Sequence, residues 1–181
     1  IARPNLVVHL CGSHGGIHTG TDGSSAQSIE DLAIYRSLPN MTVIHPSDAT
    51  SAKALTLLLR NHNSPSYTRT VRNKTRQIYT EDDAKDLEIG KFSVLTQGND
   101  VAILACGVMV QEALDAATSL QDKGISATVV DVHTIKPLDK HALYEIANRC
   151  GAIVTAEYEW QISDKLEFEI EDIFSKGLTN A

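Results

Sequence analysis

Short runs of β-branched and apolar residues alternate along this chain with longer stretches in which apolar positions recur every three or four residues. That alternation is the pattern of a parallel or mostly parallel α/β sheet, each strand followed by a helix that packs back onto it. The runs predict strands near residues 6–10, 42–45, 66–70, 101–105, 127–132 and 152–156. Ser28-Ile-Glu-Asp31 has the form of a capping box ahead of Leu32 and Ala33, which predicts a helix running to about Leu38 and stopped by Pro39. Asp48 is placed to cap the next helix, with Ala52, Leu55 and Leu59 on one face. A further helix after Gly107 aligns Val110, Leu114, Ala117 and Leu120 before Gly124 ends it. Residues 79–88 are acidic and carry no apolar period, so they read as a linker dividing the chain into residues 1–80 and 81–181.

With 181 residues and 42% hydrophobic positions, there is enough apolar material for one ordinary domain or two small ones. A formal charge of −7 and the absence of any Lys/Arg-rich run argue against a nucleic-acid partner. No apolar run approaches the roughly 18 residues that a membrane span requires. The three cysteines, Cys11, Cys106 and Cys150, lie far apart with no CxxC pair, which fits reduced thiols and a cytoplasmic protein. The first residues, Ile1-Ala-Arg-Pro-Asn5, have neither an initiator Met nor a signal-peptide pattern, and read as a chain cut from something longer.

The chemistry concentrates in Gly12-Ser-His-Gly-Gly-Ile-His-Thr-Gly-Thr-Asp-Gly-Ser-Ser25, between the first expected strand and the first expected helix. In open α/β sheets ligands gather outside the carboxyl ends of the strands, where this loop falls. Its five glycines permit close approach of a ligand, while His14, His18 and Asp22 offer a proton carrier, a donor and a carboxylate. The glycine spacing fits neither GxGxxG nor a P-loop. Metal ligation by His14, His18 and Asp22 would need a helix that the intervening glycines disfavour, so no metal site is expected here.

Gly12-Ser-His-Gly-Gly, Gly20-Thr-Asp-Gly23, Ile29-Glu-Asp-Leu-Ala-Ile-Tyr-Arg-Ser-Leu-Pro-Asn-Met41 and Pro46-Ser-Asp48 together resemble the pyrimidine-binding domain of transketolases. Arg69-Thr-Val-Arg72 resembles that family's Arg-bearing strand end, and Thr134-Ile-Lys-Pro-Leu-Asp139 a signature of its carboxy-terminal domain. The resemblance implies the latter part of a thiamine-diphosphate-binding pyrimidine-type fold over 1–80 and an incomplete, small α/β carboxy-terminal domain over 81–181. It implies a two-carbon ketol transfer between sugar phosphates, with the hard chemistry belonging to the cofactor. By motif position His14 is similar to the histidine that shuttles substrate hydroxyl protons, and Asp22 to the aspartate that hydrogen-bonds a substrate hydroxyl. Arg72 matches the arginine that grips the phosphate, with His18 and Gln27 as weaker substrate contacts.

Two departures stand out, Thr21 where the family has Glu and Ala26 where it has His or Gln, and both bear on substrate preference. The chain also lacks the GDG…N element for diphosphate and metal. The resemblance therefore implies that thiamine diphosphate and its Mg or Ca ion are bound mainly by a separate diphosphate-binding domain or subunit, in a homodimer or heterotetramer. The other readings are a non-catalytic assembly module, and another thiamine-diphosphate enzyme such as a deoxyxylulose-phosphate synthase or a 2-oxo-acid dehydrogenase β subunit. The region after Glu157 is read as a final helix.

Overall fold

A computed structural model describes residues 1–157, so the expected final helix lies outside the described residues. Two four-stranded sheets are built from β1 (His9–Gly12), β2 (Thr42–Ile44), β3 (Ser66–Arg69), β4 (Ser93–Thr96), β5 (Val101–Ala105), β6 (Ala127–Asp131), β7 (Thr134–Lys136) and β8 (Ile153–Ala156). The first sheet has the order β1-β3-β2-β7 and the second β4-β6-β5-β8. Pairing is parallel except where β7 meets β2 and β4 meets β6. Among the described residues four α-helices flank them, α1 (Asp31–Ser37), α2 (Ala49–Leu58), α3 (Met109–Gln121) and α4 (Lys140–Arg149). The mostly parallel α/β expectation holds.

The central strands have both faces covered, as parallel strands require. Along β5, Ala102 and Leu104 pack with Leu143 and Ile146 of α4. The alternate residues Ile103 and Ala105 pack with Val110, Ala113 and Ala117 of α3. Across β2, Val43 joins Leu32 and Tyr67, while Ile44 joins Leu55 of α2 and Leu59 just after it.

Several expectations are corrected. The first strand begins at His9, because its partner β3 begins at Ser66 and the register pairs those two residues; Leu6 and Val7 are exposed. The Ser28 capping box does not form: α1 starts at Asp31 with no side-chain cap on Glu30, and the Ser28 carbonyl instead accepts from Gly16 N–H and from Arg69. The acidic stretch 79–88 is not wholly solvated, since Tyr79, Ala84 and Leu87 bury against Ile44, Leu55 and Leu59. Neither β4 nor β7 was expected as a strand. β7 completes the first sheet although it lies far along the chain, and Lys136 Nζ donates to Arg36 O at 2.9 Å and to Leu38 O, placing a cation at the carboxyl end of α1.

Asp48 caps α2 as expected, in a reciprocal box with Ser51. Its second oxygen accepts from Ile78 N–H at 2.8 Å and Tyr79 N–H at 2.9 Å, anchoring the segment that the sequence reads as a linker. Asp48→Ala should therefore cost more than the ~1 kcal/mol of a lost cap. At least ~1 kcal/mol more follows from the backbone N–H groups left without an acceptor. Urea midpoints should rank the parent above Asp48→Asn above Asp48→Ala.

Candidate functional site

The loop from Gly12 to Gln27 leaves the carboxyl end of β1 and runs through two short 3-10 turns, Ile17–Asp22 and Ser24–Ala26. Arg72 follows the carboxyl end of β3, the strand hydrogen-bonded beside β1. Parallel pairing puts both ends on one edge of the sheet, so residues 58 apart in sequence become neighbours.

His14, Asp22 and Arg72 come together there. Arg72 Nε lies 2.6 Å from Asp22 Oδ2, and His14 Nε2 lies 3.8 Å from the same oxygen. Ser13 Oγ sits 2.6 Å from His14 Nδ1, so the imidazole is engaged on one side by a hydroxyl and faces a carboxylate on the other. The three side chains are 31–42% exposed. Ion pairs this open add little stability, which leaves the cluster accessible to a ligand hydroxyl or anion. His14 also has φ 65, a left-handed backbone unusual for a residue with a Cβ.

Gln27 is half-buried just after the second 3-10 turn, with its N–H bonded to Ser24 O. His18 lies on the first turn, and its side chain is outside the described residues. Of the remaining histidines, His45 and His133 are buried to 1% and 0% exposure. Burial, followed for His45 by the neighbouring Arg69 charge, holds their pKa values down to about 3 and about 4. Gly107, at φ 55, permits the close approach of His45, since a Cβ there would lie 2.1 Å from the imidazole.

Sequence reasoning missed the support beneath the loop. Tyr67 and Arg69 alternate on one face of β3, and Asp31 and Tyr35 sit one turn apart on α1. Tyr67 donates to Asp31, Tyr35 stacks on Tyr67 with centroids 3.8 Å apart, and Arg69 Nε faces Asp31 at 3.7 Å. Burial and then the Asp31 contact raise the Tyr67 pKa, keeping the phenol a donor. The available signal was a charged residue ending an otherwise strand-like run, Ser66-Tyr-Thr-Arg69.

Among the described residues no group of three His, Cys, Asp or Glu side chains is arranged to hold a metal. No described helix is long and apolar enough to cross a membrane.

Residues 1–77 match the family model of the transketolase pyrimidine-binding domain, and residues 90–163 that of the transketolase C-terminal domain. A 6-deoxy-6-sulfo-D-fructose transketolase subunit from Clostridium sp. (strain MSTE9) is 41% identical over 157 residues, 87% of this chain and 48% of that protein. A 1-deoxy-D-xylulose-5-phosphate synthase from Geobacter sulfurreducens is 36% identical over 87% of this chain and 24% of that protein. Among solved structures, a split-gene transketolase described as an inactive β4 tetramer superposes with a TM-score of 0.86 at 37% identity, covering 97% of this chain and 55% of that one. The chain thus spans about half the length of the first of these relatives and a smaller share of the synthase. With both domain models matched in order and the fold shared, the chain belongs to the transketolase family.

Proposed function

We propose that this chain is the carboxy-terminal part or subunit of an enzyme that transfers a two-carbon ketol unit between sugar phosphates, and that it works only with a diphosphate-binding half. The carrying observation is the meeting of His14, Asp22 and Arg72 around one carboxylate oxygen at the sheet edge. In this reading Asp22 accepts a hydrogen bond from a substrate hydroxyl, Arg72 holds the terminal anion, and His14 carries protons to and from hydroxyl oxygens. His18 and Gln27 make lesser substrate contacts. Thiamine diphosphate supplies the carbon nucleophile when bound. The reading assigns the diphosphate and its Mg or Ca ion to the other half, since this chain carries no GDG…N element.

The sulfofructose-processing relative supports a terminal sulfonate as an alternative to phosphate, since both are tetrahedral oxyanions that a guanidinium can hold. The inactive β4 relative supports association of this chain without activity until its partner joins. The family architecture supports a homodimer or a heterotetramer for the complete enzyme.

Titration calorimetry tests the reading. The chain alone should give no thiamine diphosphate heat with Mg present, and the complex with a GDG-bearing partner should bind the cofactor and turn over xylulose 5-phosphate. A complete complex that binds no cofactor would exclude the enzyme reading. The synthase relative makes a second reading concrete, and a preference for pyruvate over xylulose 5-phosphate as donor would select it.

A further inference from the structure

The loop carrying His14 and Asp22 rests on a buried polar group that belongs to none of the residues assigned above. Arg69 ends β3 at 1% exposure, and its register partner is Gly12, where the loop begins. Its guanidinium lies directly against Gly15: a Cβ at that position would stand 1.7 Å from Nε and 2.6 Å from Cζ. Arg69 Nη2 donates to Ser28 O at 3.0 Å, and Gly16 N–H donates to the same carbonyl at 2.6 Å. Gly15 N–H donates to Thr70 O at 3.2 Å, tying the loop to the residue after Arg69. The backbone after His14 is thus clamped between Ser28, whose carbonyl also accepts from the guanidinium, and Thr70, the residue that follows Arg69. Such a clamp is what a residue held at φ 65 needs, because that conformation persists only where its surroundings over-determine it.

Asp31 orients the guanidinium from α1 at 3.7 Å and is itself held by the Tyr67 hydroxyl. Desolvation largely offsets the Coulomb attraction of a buried pair, so stability alone is a weak reason for it to be there. Its directional contacts restrict the loop to one arrangement.

We propose that Arg69, oriented by Asp31, is a positioning residue that locks residues 12–22 so that His14 and Asp22 meet Arg72. The proposal takes only the identity of the site it serves from the functional reading above. Two arginines three positions apart then divide the work at one strand end: the buried one sets the loop, and the half-exposed one faces the ligand.

The test uses the full chain, labelled for NMR, with no cofactor or substrate. Asp31→Asn keeps an acceptor for Tyr67 but removes the charge facing the guanidinium, and Gly15→Ala drives a methyl into Arg69. Each variant should raise exchange of the Gly16 amide by about tenfold or more relative to the β5 amides. Each should also move the ring NMR signals of His14 at a fixed pH while leaving those of exposed His141 in place. A folded variant whose Gly16 exchange and His14 ring signals match the parent overturns the proposal. If Asp31→Asn does not fold, Gly15→Ala, which alters a loop outside the apolar core, decides by the same two readouts. The assembled parent lacking ketol transfer would defeat the functional reading and leave the positioning role standing. An active parent with an unaltered variant loop would defeat the positioning role alone.

Discussion

Replacing His14 with Asn in the complete enzyme is expected to lower kcat by about 10²–10⁴-fold, the range typical of a lost general acid–base. Asn is the informative substitution because it tolerates the left-handed backbone that His14 occupies, so the loop keeps its course while the titrating imidazole is lost. Arg72→Ala, at the other end of the cluster, should act mainly on KM for the phosphorylated donor. A lost charge-assisted hydrogen bond corresponds to roughly tenfold to a hundredfold there. Steady-state kinetics on xylulose 5-phosphate separate the two effects. If neither substitution changes turnover, the cluster is structural and the non-catalytic assembly module becomes the better reading.

The second large effect concerns stability against pH. Asp131, at the end of β6, is fully buried; its Oδ2 accepts from Ser47 Oγ and from Tyr79 OH, both at 2.8 Å. It therefore joins the second sheet to the segments around α2. Burial, with a smaller push from Asp48, raises its pKa to about 7 against 3.8 for the free side chain, and the two hydroxyls offset part of that rise. A raised folded-state pKa means that the native protein holds a proton which the unfolded chain releases. The stability this contributes is present at low pH and is lost as pH climbs from about 4 through 7, on the order of 4 kcal/mol in all. Asp131→Asn should remove that decline.

On the acid side the balance reverses. His45 and His133 stay neutral in the fold to about pH 3 and about pH 4 but protonate near 6.5 when unfolded, so stability falls as pH drops below 6.5. Asp83 and Asp100, whose pKa values are lowered by hydrogen bonds to Thr80 and Ser126, act in the same direction at still lower pH. Two imidazoles opposing one carboxyl leave a thermal midpoint that peaks near pH 6.5–7 in the parent. In Asp131→Asn that peak should broaden toward alkaline pH. Thermal melts across the range check this, and an Asp131→Asn midpoint that does not gain on the parent's between pH 4 and 7 would contradict the burial of Asp131.

Elements whose fold depends on their own residues were legible in the sequence. Asp48 reads as a cap and is one, because capping needs only a carboxylate three residues before a free N–H. β5 reads as Val101–Ala105 and spans those residues, because a run this apolar can only be central. Ser28 failed by the same local rule, since Gly16 and Arg69 compete for its carbonyl and hold its backbone out of the helix. β7 was invisible as a strand because three residues carry no period, and its place beside β2 is set by a pairing 90 residues distant. The acidic run 79–88 hid three buried residues, Tyr79, Ala84 and Leu87, for a similar reason.

The residues of the candidate cluster could be named from the sequence, because loop glycines and a charged strand end have recognisable patterns. That His14, Asp22 and Arg72 share one carboxylate oxygen was decided by the parallel pairing of β1 with β3, which brings the two strand ends to one edge. The Arg69–Asp31 support and the buried Asp131 staple likewise belong to the tertiary structure alone. Local sequence determines what a residue can do. Desolvation and the identity of a partner, which fix what it does do, exist only once distant segments have packed.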